Sequence, residues 1–213
     1  MIQDYEVNIM TNKIKKRYNR IAGLYDMMEV PMEGMFSKWR KQMLKDASGK
    51  TLEVGIGTGK NIPYYPENVD LIGIDFSEKM ISKAKEKITG SKNIQLLEMD
   101  AQQMQFDDNA FDTVVTSCVF CSVPDPVLGL KEIRRVSKDG GKILMLEHVR
   151  SNKKVVGPLM DAFNFIPLHM YGANINRNTY QNLLKAGFQP ETIEIERLWY
   201  DIVKLIRINN MKD

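Results

Sequence analysis

The stretch 51-TLEVGIGTGKNIPYY-65 decides the fold, because it joins a short apolar strand pattern to a loop rich in glycine. Gly55, Gly57 and Gly59 fall within five consecutive positions, and a helix could follow them. Glycine allows the backbone to turn sharply and to approach a ligand closely. A glycine loop directly after a strand is typical of nucleotide sites in α/β proteins. The remaining sequence has to show which nucleotide the loop would hold.

The spacing of these glycines argues against two common nucleotide loops. The dinucleotide pattern G-x-G-x-x-G requires its third glycine at the position of Lys60, one residue later than Gly59. We expect this shift to remove the close helix–strand packing that the third glycine provides. The phosphate-binding pattern, which ends in Gly-Lys-Ser/Thr, does not occur in the loop either. The loop therefore disfavours a nicotinamide oxidoreductase and phosphate transfer.

Glu53 narrows the choice of ligand further. A carboxylate at the end of the first strand would repel a pyrophosphate and attract an ammonium group. We therefore expect a nucleoside ligand with a positively charged amino-acid arm and no phosphate. S-adenosylmethionine has this composition, since it combines adenosine, a sulfonium and an amino-acid tail.

The sequence around the loop alternates strand-like and helix-like patterns, as expected for an α/β sheet. Several strand patterns are continuous apolar runs, which suit parallel strands that are covered on both faces. The predicted strands are 50–54, 69–75, 93–98, 112–117, 142–147, 192–197 and 202–208.

The predicted helices are marked by their end signals. Ser77 is suited to cap the N-terminus of a helix that carries apolar residues at helical spacing. Asp125 followed by Pro126 is a second N-terminal signal. We expect Gly140-Gly141 to end that unit. A later helix is predicted over 178–186.

Three further strand ends carry residues that suit the same ligand. Asp75 lies 20 residues after Gly55 and could accept hydrogen bonds from both ribose hydroxyls. Asp100 could accept a hydrogen bond from the adenine amine, while Ala101 offers a backbone N–H. The segment 116-TSCVFCSV-123 ends the fourth predicted strand, next to the expected position of the sulfonium.

Four segments in this order resemble the class I S-adenosylmethionine-dependent methyltransferases. They are LEVGIGTG (52–59), GIDFSEKMISKAKEK (73–87), EMDAQQMQFDDNAFDTVV (98–115) and EIRRVSKDGGKILMLEHV (132–149). Within this class, 18-YNRIAGLYD-26 resembles the opening of ubiquinone/menaquinone methyltransferases and of bacterial phosphatidylethanolamine N-methyltransferases. GIGTGKNIPYYP is more similar to the latter, while CVFCSVPDP and LEHVRS also resemble small-thiol methyltransferases. The resemblance covers about residues 14–210, nearly the whole chain.

The resemblance implies a single methyltransferase domain over 1–213 with a Rossmann-like α/β fold. It implies a seven-stranded, mostly parallel sheet of order 3-2-1-4-5-7-6, with the last strand antiparallel and helices on both faces. Its expected parts are an N-terminal helical lid (1–45), a cofactor-binding core (46–149), a substrate cap (150–176) and a C-terminal helix with strands (177–213). We expect the lid and the cap to lie over the carboxyl ends of the strands, where open α/β sheets bind ligands.

The resemblance and the strand ends together give S-adenosylmethionine as the expected cofactor. The expected cofactor-binding residues are Tyr18, Glu53, Gly55, Gly57, Thr58, Gly59, Asp75, Phe76, Met80, Asp100, Ala101, Ser117 and Cys118. Tyr18 and Tyr25 are expected to close over the cofactor, because aromatic faces attract a cation. His148 and Tyr25 are the candidate catalytic residues, and the alternative role of His148 is to bond local backbone. Methyl transfer requires a base only when the acceptor must lose a proton first.

The two cysteines, Cys118 and Cys121, have the CxxC spacing of some metal sites. No second pair exists to complete a zinc site, so we expect packing residues and no metal.

Composition and charge limit the partners. A net charge of +3 is too small to indicate nucleic-acid binding, and 43% hydrophobic with 27% charged residues argues against disorder. The basic run 13-KIKKRYNR-20 is either a solvated helix face or, with the Met- and Phe-rich stretch 150–175, a peripheral membrane contact. The opening MIQDYEVNIM has no signal-like pattern. We therefore expect a cytoplasmic protein, with or without contact at the inner membrane face, and the sequence does not indicate its oligomeric state.

The expected function is S-adenosylmethionine-dependent methyl transfer to a small or lipid-like acceptor, such as a phospholipid amine, a quinone or a thiol. The alternatives are a non-catalytic protein that binds S-adenosylmethionine or S-adenosylhomocysteine and regulates a partner, and a nicotinamide oxidoreductase.

Overall fold

The computed structural model describes residues 2–89, 93–170 and 172–212. Its strands are β1 (Lys50–Val54), β2 (Asp70–Asp75), β3 (Ile94–Glu98), β4 (Phe111–Ser117), β5 (Ser137–His148), β6 (Ile193–Leu198) and β7 (Val203–Asn210). They form one seven-stranded sheet of order β3-β2-β1-β4-β5-β7-β6. This order confirms the expected topology.

The direction of the strands fixes where a ligand can bind. The neighbouring pairs among β1 to β5 are parallel, whereas β7 pairs antiparallel with both β5 and β6. The carboxyl ends of β1 to β5 therefore meet at one edge of the sheet, the edge where open α/β sheets bind ligands.

Helices cover both faces of the sheet. They are α1 (Ile2–Leu44), α2 (Glu78–Glu86), α3 (Pro126–Val136), α4 (Val156–Phe163), α5 (Phe165–Met170) and α6 (Thr179–Lys185). On β5, Ile143 and Met145 belong to a buried cluster with side chains of α3 and α6, while Leu144 and Leu146 belong to a second cluster with side chains of α1. Alternate residues of this central strand thus bury on opposite faces, which explains its continuous apolar run.

The helical N-terminal region is one long element. α1 runs from Ile2 to Leu44 and contains Pro31. Its C-terminal part packs on the sheet, where Phe36, Met43 and Leu44 are buried. Its preceding turns extend over the carboxyl edge of the strands, where Thr11, Tyr18 and Tyr25 line the cleft described below.

The start of β5 differs from the prediction. α3 ends at Val136, because Ser137 already has an extended backbone (φ −73°, ψ 138°). Gly140-Gly141 therefore lies inside β5 and does not end the helix. The register of β5 against β4 shifts between Phe111 and Thr113, so β5 absorbs its additional residues at this irregularity.

The connection after the glycine loop also differs from the prediction. A single 3₁₀ turn, Ile62–Tyr64, follows the loop instead of a helix. Pro63 lies in the first part of this turn, where a missing N–H is tolerated. The chain then reaches β2 in extended and irregular backbone.

The stretch between β5 and α6 forms the two short helices α4 and α5. Arg17 of α1 donates a hydrogen bond to the Leu168 carbonyl (2.9 Å), and the Asn174 N–H donates to the Cys121 carbonyl (2.7 Å). We call the Met- and Phe-rich stretch 150–175 the insert. The two bonds hold the insert against α1 and against the turn that follows β4.

Among the helices of the described ranges, none combines the length and the apolar character that a membrane span requires.

Candidate functional site

A cleft opens at the carboxyl ends of β1, β2 and β4, beneath α1. The open space in this cleft, including the solvent-filled region at its mouth, is about 1010 Å³. The sequence-predicted residues that line it are Tyr18, Tyr25, Glu53, Gly55, Gly57, Thr58, Asp75, Phe76, Met80, Asp100, Ala101, Ser117 and Cys118. The fold thus brings these residues, which are spread over about 100 positions of the chain, to one place.

The glycine loop forms the floor of the cleft at the end of β1. Gly55 has φ +68°, and a Cβ atom placed there would lie 2.5 Å from the Val119 side chain. Gly57 also has a positive φ, +55°, but a Cβ atom there would meet open space. The first glycine therefore permits close packing against the turn after β4, while the second leaves room for a ligand beside the backbone.

Gly59 has a different role from its neighbours in the loop. It is buried, and it is not among the residues that line the cleft. A Cβ atom at Gly59 would lie 3.0 Å from the Ala84 backbone in α2. Gly59 therefore allows α2, the helix that follows β2, to pack closely against the loop.

Glu53 is held by the end of the same loop. Its carboxylate accepts hydrogen bonds from the Asn61 amide (2.8 Å) and from the Tyr65 hydroxyl (2.9 Å). Burial raises the pKa of Glu53 to about 8, although these two bonds and the nearby Arg40 cation favour its ionised form. The residues 61–65 that follow the glycines therefore orient a carboxylate that also lines the cleft.

Arg40 lines the cleft and was missed in the sequence. Its side chain is only 6% exposed, pairs with Glu33, and lies over the Phe36 ring at 5.5 Å. Arg40 and Glu53 place opposite charges on one wall, which suits the carboxylate and the ammonium of an amino-acid tail. No local pattern in the long helix α1 distinguishes Arg40 from the other cations there.

Asp75 ends β2 and faces the glycine loop. Its carboxylate accepts hydrogen bonds from the Gly57 N–H (3.0 Å) and from the Ser77 N–H (2.8 Å). Burial raises the pKa of Asp75 to about 6 against the effect of these two bonds, and the charge of Glu98 acts in the same direction as burial. Ser77 also caps α2, as predicted, by accepting from the Met80 N–H.

Asp100 lies in the cleft after β3 and is oriented by Gln102, a residue that the sequence did not single out. The Gln102 amide donates to the Asp100 carboxylate (3.1 Å) and to the Thr11 hydroxyl of α1 (3.2 Å). Its carbonyl oxygen accepts from the Asp125 N–H (2.9 Å). Gln102 is buried and joins three segments that are far apart in sequence, so its role depends on the tertiary contact.

Aromatic rings of α1 form the roof of the cleft. The rings of Tyr18 and Tyr25 lie 6.2 Å apart, and Tyr18 contacts the Phe76 ring edge-on at 5.7 Å. The Tyr18 hydroxyl is hydrogen-bonded to the Ser122 hydroxyl (2.6 Å), and burial raises the pKa of Tyr18. The roof is thus apolar toward the cleft and tied to the turn after β4.

Charged residues attach this roof to the cofactor side of the sheet. Asp26 of α1 accepts hydrogen bonds from the Thr58 hydroxyl of the glycine loop and from Lys87 after α2. Glu33 of α1 accepts from Lys60 (3.0 Å), the residue that replaces the expected third glycine. Lys60 therefore ties α1 to the glycine loop.

Ser117 and Cys118 lie where β4 ends. Cys118 has φ +56°, which is uncommon for a residue other than glycine and marks a constrained turn. Cys121 is buried, donates to the Cys118 carbonyl, and has its pKa raised by burial to about 12. In the part of the chain that the structure describes, no group of three or more His, Cys, Asp or Glu side chains is arranged to hold a metal ion.

His148 lies behind the cleft wall. Its ring is stacked on the Phe36 ring at 6.0 Å, and Phe36 lines the cleft whereas His148 does not. A direct contact between His148 and a reacting atom would require Phe36 to move.

The cleft fits S-adenosylmethionine by the chemistry of its walls. The opposite charges of Arg40 and Glu53 suit the amino-acid tail, and Asp75 suits the ribose hydroxyls. The space above Gly57 lets the nucleoside approach the backbone. A pyrophosphate would instead meet the buried carboxylate of Glu53, which disfavours a nicotinamide dinucleotide.

Comparisons with known proteins agree with this fit. The model of the methyltransferase domain family matches residues 52–145. A phosphatidylethanolamine N-methyltransferase of Cereibacter sphaeroides is 40% identical over 114 residues, 52% of this chain and 55% of that protein. The match thus spans about half the length of that relative. A demethylmenaquinone methyltransferase of Staphylococcus aureus is 33% identical over 205 residues, 91% of this chain and 83% of that protein.

A solved structure shares the fold at low sequence identity. It is an S-adenosylmethionine-dependent methyltransferase of Thermotoga maritima, described as a possible histamine N-methyltransferase. Its TM-score is 0.70 at 19% identity, with 92% of this chain and 99% of that chain covered. The family match, the long alignment to a relative above 30% identity and the sheet order together identify an enzyme that uses S-adenosylmethionine. The chain belongs to the class I S-adenosylmethionine-dependent methyltransferases.

Proposed function

We propose that the chain methylates a lipid-like or small hydrophobic acceptor, such as a phospholipid amine, a quinone ring or a thiol. The observation that carries this proposal is the exposed apolar surface of the insert beside the cleft. Its exposed members are Val155, Leu159, Phe163, Phe165, Ile166 and Met170. Val155, the N-cap of α4, and Leu159 and Phe163 of α4 recur every four residues, so they lie on one side of the helix. None of these side chains lines the cleft, but the insert is bonded to Arg17 and Cys121, which adjoin the cleft-lining Tyr18 and Ser122. Exposed apolar surface of this extent is typical of sites that receive apolar molecules or membranes.

The proposed division of the chain follows from these elements. Residues 1–45 would act as the lid, 46–149 as the cofactor core, 150–176 as the substrate cap and 177–213 as the C-terminal part of the same domain. The bonds from Arg17 to Leu168 and from Asn174 to Cys121 support this division, because they connect the cap to both lid and core.

The chemistry that the residues must supply is mainly alignment. When bound, S-adenosylmethionine would supply a methyl group on a cationic sulfonium. The acceptor lone pair would bond to the methyl carbon as the carbon–sulfur bond breaks in line, and uncharged S-adenosylhomocysteine would leave. We propose that Tyr18 and Tyr25 favour the cationic group with their ring faces, a contribution of roughly 0.5–2 kcal/mol. The apolar roof would exclude water, and positioning of the two reactants supplies most of the rate. A neutral amine presents its lone pair without a base, whereas a thiol must lose its proton, which His148 could accept only if Phe36 moved.

We propose that the apolar insert contacts a membrane surface together with the basic run 13–20. Of the cations in that run, Lys13, Lys16 and Arg20 are exposed, whereas Lys15 pairs with Glu98 and Arg17 bonds to the insert. Lys153 and Lys154 are exposed at the start of the insert. Each exposed cation near an anionic membrane contributes about 1 kcal/mol of attraction.

The acceptor class is tested by turnover of labelled S-adenosylmethionine. The acceptors are phosphatidylethanolamine vesicles, a demethylated quinone in detergent, a short alkyl thiol and histamine, a water-soluble amine. We expect transfer to at least one of the first three and none to histamine, with the cofactor-site variant Asp75→Ala as the inactive control. Transfer to histamine alone would contradict the lipid-like acceptor, and binding without any turnover would favour the regulatory alternative.

The membrane contact is tested by co-sedimentation with vesicles of anionic or zwitterionic lipid. We expect binding to the anionic vesicles at low salt and a marked loss at high salt, because screening weakens exposed charges. Absence of binding to anionic vesicles at low salt would remove the membrane contact and leave the acceptor proposal to the turnover assay.

A further inference from the structure

Glu147 is a buried carboxylate that the cofactor chemistry does not use. It is the penultimate residue of β5 and is fully buried. Its carboxylate accepts hydrogen bonds from the Thr116 hydroxyl (2.6 Å), the Val119 N–H (3.1 Å) and the Phe120 N–H (3.2 Å). Glu147 therefore connects the end of β5 to the end of β4 and to the turn beyond it.

This turn, residues 118–120, forms part of the cleft wall. The chain reverses at Cys118, whose N–H donates to the Leu146 carbonyl (2.8 Å) and whose φ of +56° is sparsely populated. Cys118 and Val119 both line the cleft, and the Val119 side chain packs on Gly55 of the glycine loop. A shift of the turn would thus displace the wall that faces the cofactor loop.

The surroundings of Glu147 select its ionised form. The hydroxyl and the two backbone N–H groups that contact it can all act as donors, and an ionised carboxylate is purely an acceptor. Of these three groups, a protonated carboxyl could donate its O–H only to the Thr116 hydroxyl, which would then give up its own donation to Glu147, because the two backbone N–H groups only donate. Burial opposes ionisation and raises the pKa of Glu147 to about 7, against the effect of the three hydrogen bonds.

Burial favours the protonated form of Glu147 and the three hydrogen bonds favour the ionised form, and the titratable groups around Glu147 do not change this balance. The thiol of Cys121, the residue after the turn, has its pKa raised to about 12 and stays neutral. Lys204 is the register partner of Glu147 on β7, but its ammonium lies 3.5 Å from the Asp201 carboxylate. The adjacent His148 stacks on Phe36.

We propose that Glu147 is a positioning residue for the methyl-transfer reaction: its carboxylate holds the 118–120 turn in the shape that the cofactor loop requires. It acts through the backbone N–H groups of Val119 and Phe120 and does not itself line the cleft. The inference concerns cofactor binding and is independent of which acceptor is used.

The test is the pH dependence of S-adenosylhomocysteine affinity, measured by calorimetry from about pH 5.5 to about pH 8.5. In the unaltered protein we expect affinity to rise with pH through a step near neutrality as Glu147 ionises. Glu147→Gln removes the charge and replaces one acceptor oxygen with an amide NH2 group, which can donate to the Thr116 hydroxyl while the remaining oxygen accepts from Val119 and Phe120. We expect this variant to bind about tenfold more weakly at high pH, the cost of roughly one charged hydrogen bond, and to lack that step. Asp75 and Glu53 titrate in both proteins, so the difference between the two profiles isolates Glu147.

A second variant keeps the carboxylate and changes its pKa. Thr116→Val removes one donor to the ionised form, so the pKa of Glu147 should increase and the step should move to higher pH. Glu132→Gln is the matched control, since Glu132 also accepts a backbone N–H, that of Met104 (2.7 Å), but lies outside the cleft. We expect its profile to match that of the unaltered protein.

A profile that is unchanged in Glu147→Gln, or a step that does not move in Thr116→Val, would overturn the proposal. If Glu147→Gln does not fold, the position of the step in Thr116→Val decides alone.

Discussion

The carboxyl edge of the sheet has two contrasting halves. Over β1, β2 and β4, polar side chains are buried and bonded: Glu53 to Asn61 and Tyr65, and Asp75 to the glycine loop. Beyond β5, the insert exposes large apolar side chains, with Phe163 54% and Phe165 57% exposed. The first half is completed by contacts within the chain, whereas the second presents apolar surface to its surroundings.

This difference indicates how closely the sequence must define each half. The cofactor half needs defined distances between a few polar atoms, and strand ends at a common edge supply them. The insert needs only apolar area, which tolerates many sequences and carries little positional information. Single substitutions in the cofactor half should therefore change cofactor affinity strongly, whereas the insert should respond mainly to added charge.

The largest expected effect is at the glycine loop. Gly55→Arg would place a side chain where even a Cβ atom lies 2.5 Å from Val119, at a φ of +68°. Asp75→Ala would remove the acceptor proposed for the ribose and leave the Gly57 and Ser77 N–H groups without their partner. We expect each variant to lose S-adenosylhomocysteine binding in calorimetric titration, and unchanged affinity in both would refute the assigned cofactor site.

A smaller effect is expected for Glu53→Gln, which keeps the shape of the side chain and removes its charge. Affinity for S-adenosylhomocysteine should fall about ten- to hundredfold, the range for losing a charged hydrogen bond. Because burial raises the pKa of Glu53 to about 8, affinity in the unaltered protein should increase as pH rises toward that value. Titrations of both proteins across this range test the assignment, which fails if the variant keeps the affinity and the pH profile of the unaltered protein.

Stability should change with pH in the opposite direction to cofactor affinity: in the ligand-free protein, the free energy of unfolding should decrease as pH rises. The pKa of Glu53 is raised above its ordinary value of about 4.3, so the folded state binds the proton more tightly than the unfolded state. Its contribution to the free energy of unfolding is complete below about pH 4 and is lost as pH rises through about 8. Asp75 and Glu147, with pKa values raised to about 6 and about 7, act in the same direction. Thermal unfolding should show a midpoint that falls from acidic to mildly basic pH, and Glu53→Gln should flatten this decline.

A moderate effect confined to the other half is expected for Phe163→Glu. The added charge should weaken binding to anionic vesicles several-fold, since it opposes both apolar contact and the surface charge. Affinity for S-adenosylhomocysteine should not change. Met211→Glu is the matched control, because Met211 is 51% exposed but follows the far end of β7. Equal vesicle binding by the two variants would mean that the insert has no special part in membrane contact.

The smallest effect is expected for Cys121→Ala. The residue is buried and donates to the Cys118 carbonyl, so the variant should lose about 1 kcal/mol of unfolding free energy. Denaturant unfolding measures this loss, and cofactor affinity should remain within about threefold of the unaltered protein. A collapse of affinity together with loss of bound zinc would instead reveal a metal role for the CxxC pair.

The sequence predicts the strand bounds of the cofactor half closely. Most strand ends were placed within one residue, because parallel strands buried on both faces show up as short apolar runs. The start of β5 was misplaced, since Gly140-Gly141 looks like a helix stop but lies in a strand irregularity. The helix anticipated after the glycine loop is a single 3₁₀ turn that contains Pro63, and Tyr65, directly after the turn, donates a hydrogen bond to Glu53.

The sequence by itself determined the alternation of strands and helices, the glycine loop and the acidic residues at the strand ends. These are local patterns, or consequences of parallel strands that end at one edge. The tertiary structure alone decided the partners of those residues: Arg40 beside Glu53, Gln102 beneath α1, Gly59 against Ala84, and Glu147 under the 118–120 turn. The physical reason is that a buried polar atom must find its partner wherever packing brings one, and no spacing along the chain encodes contacts between segments 13 to 91 residues apart.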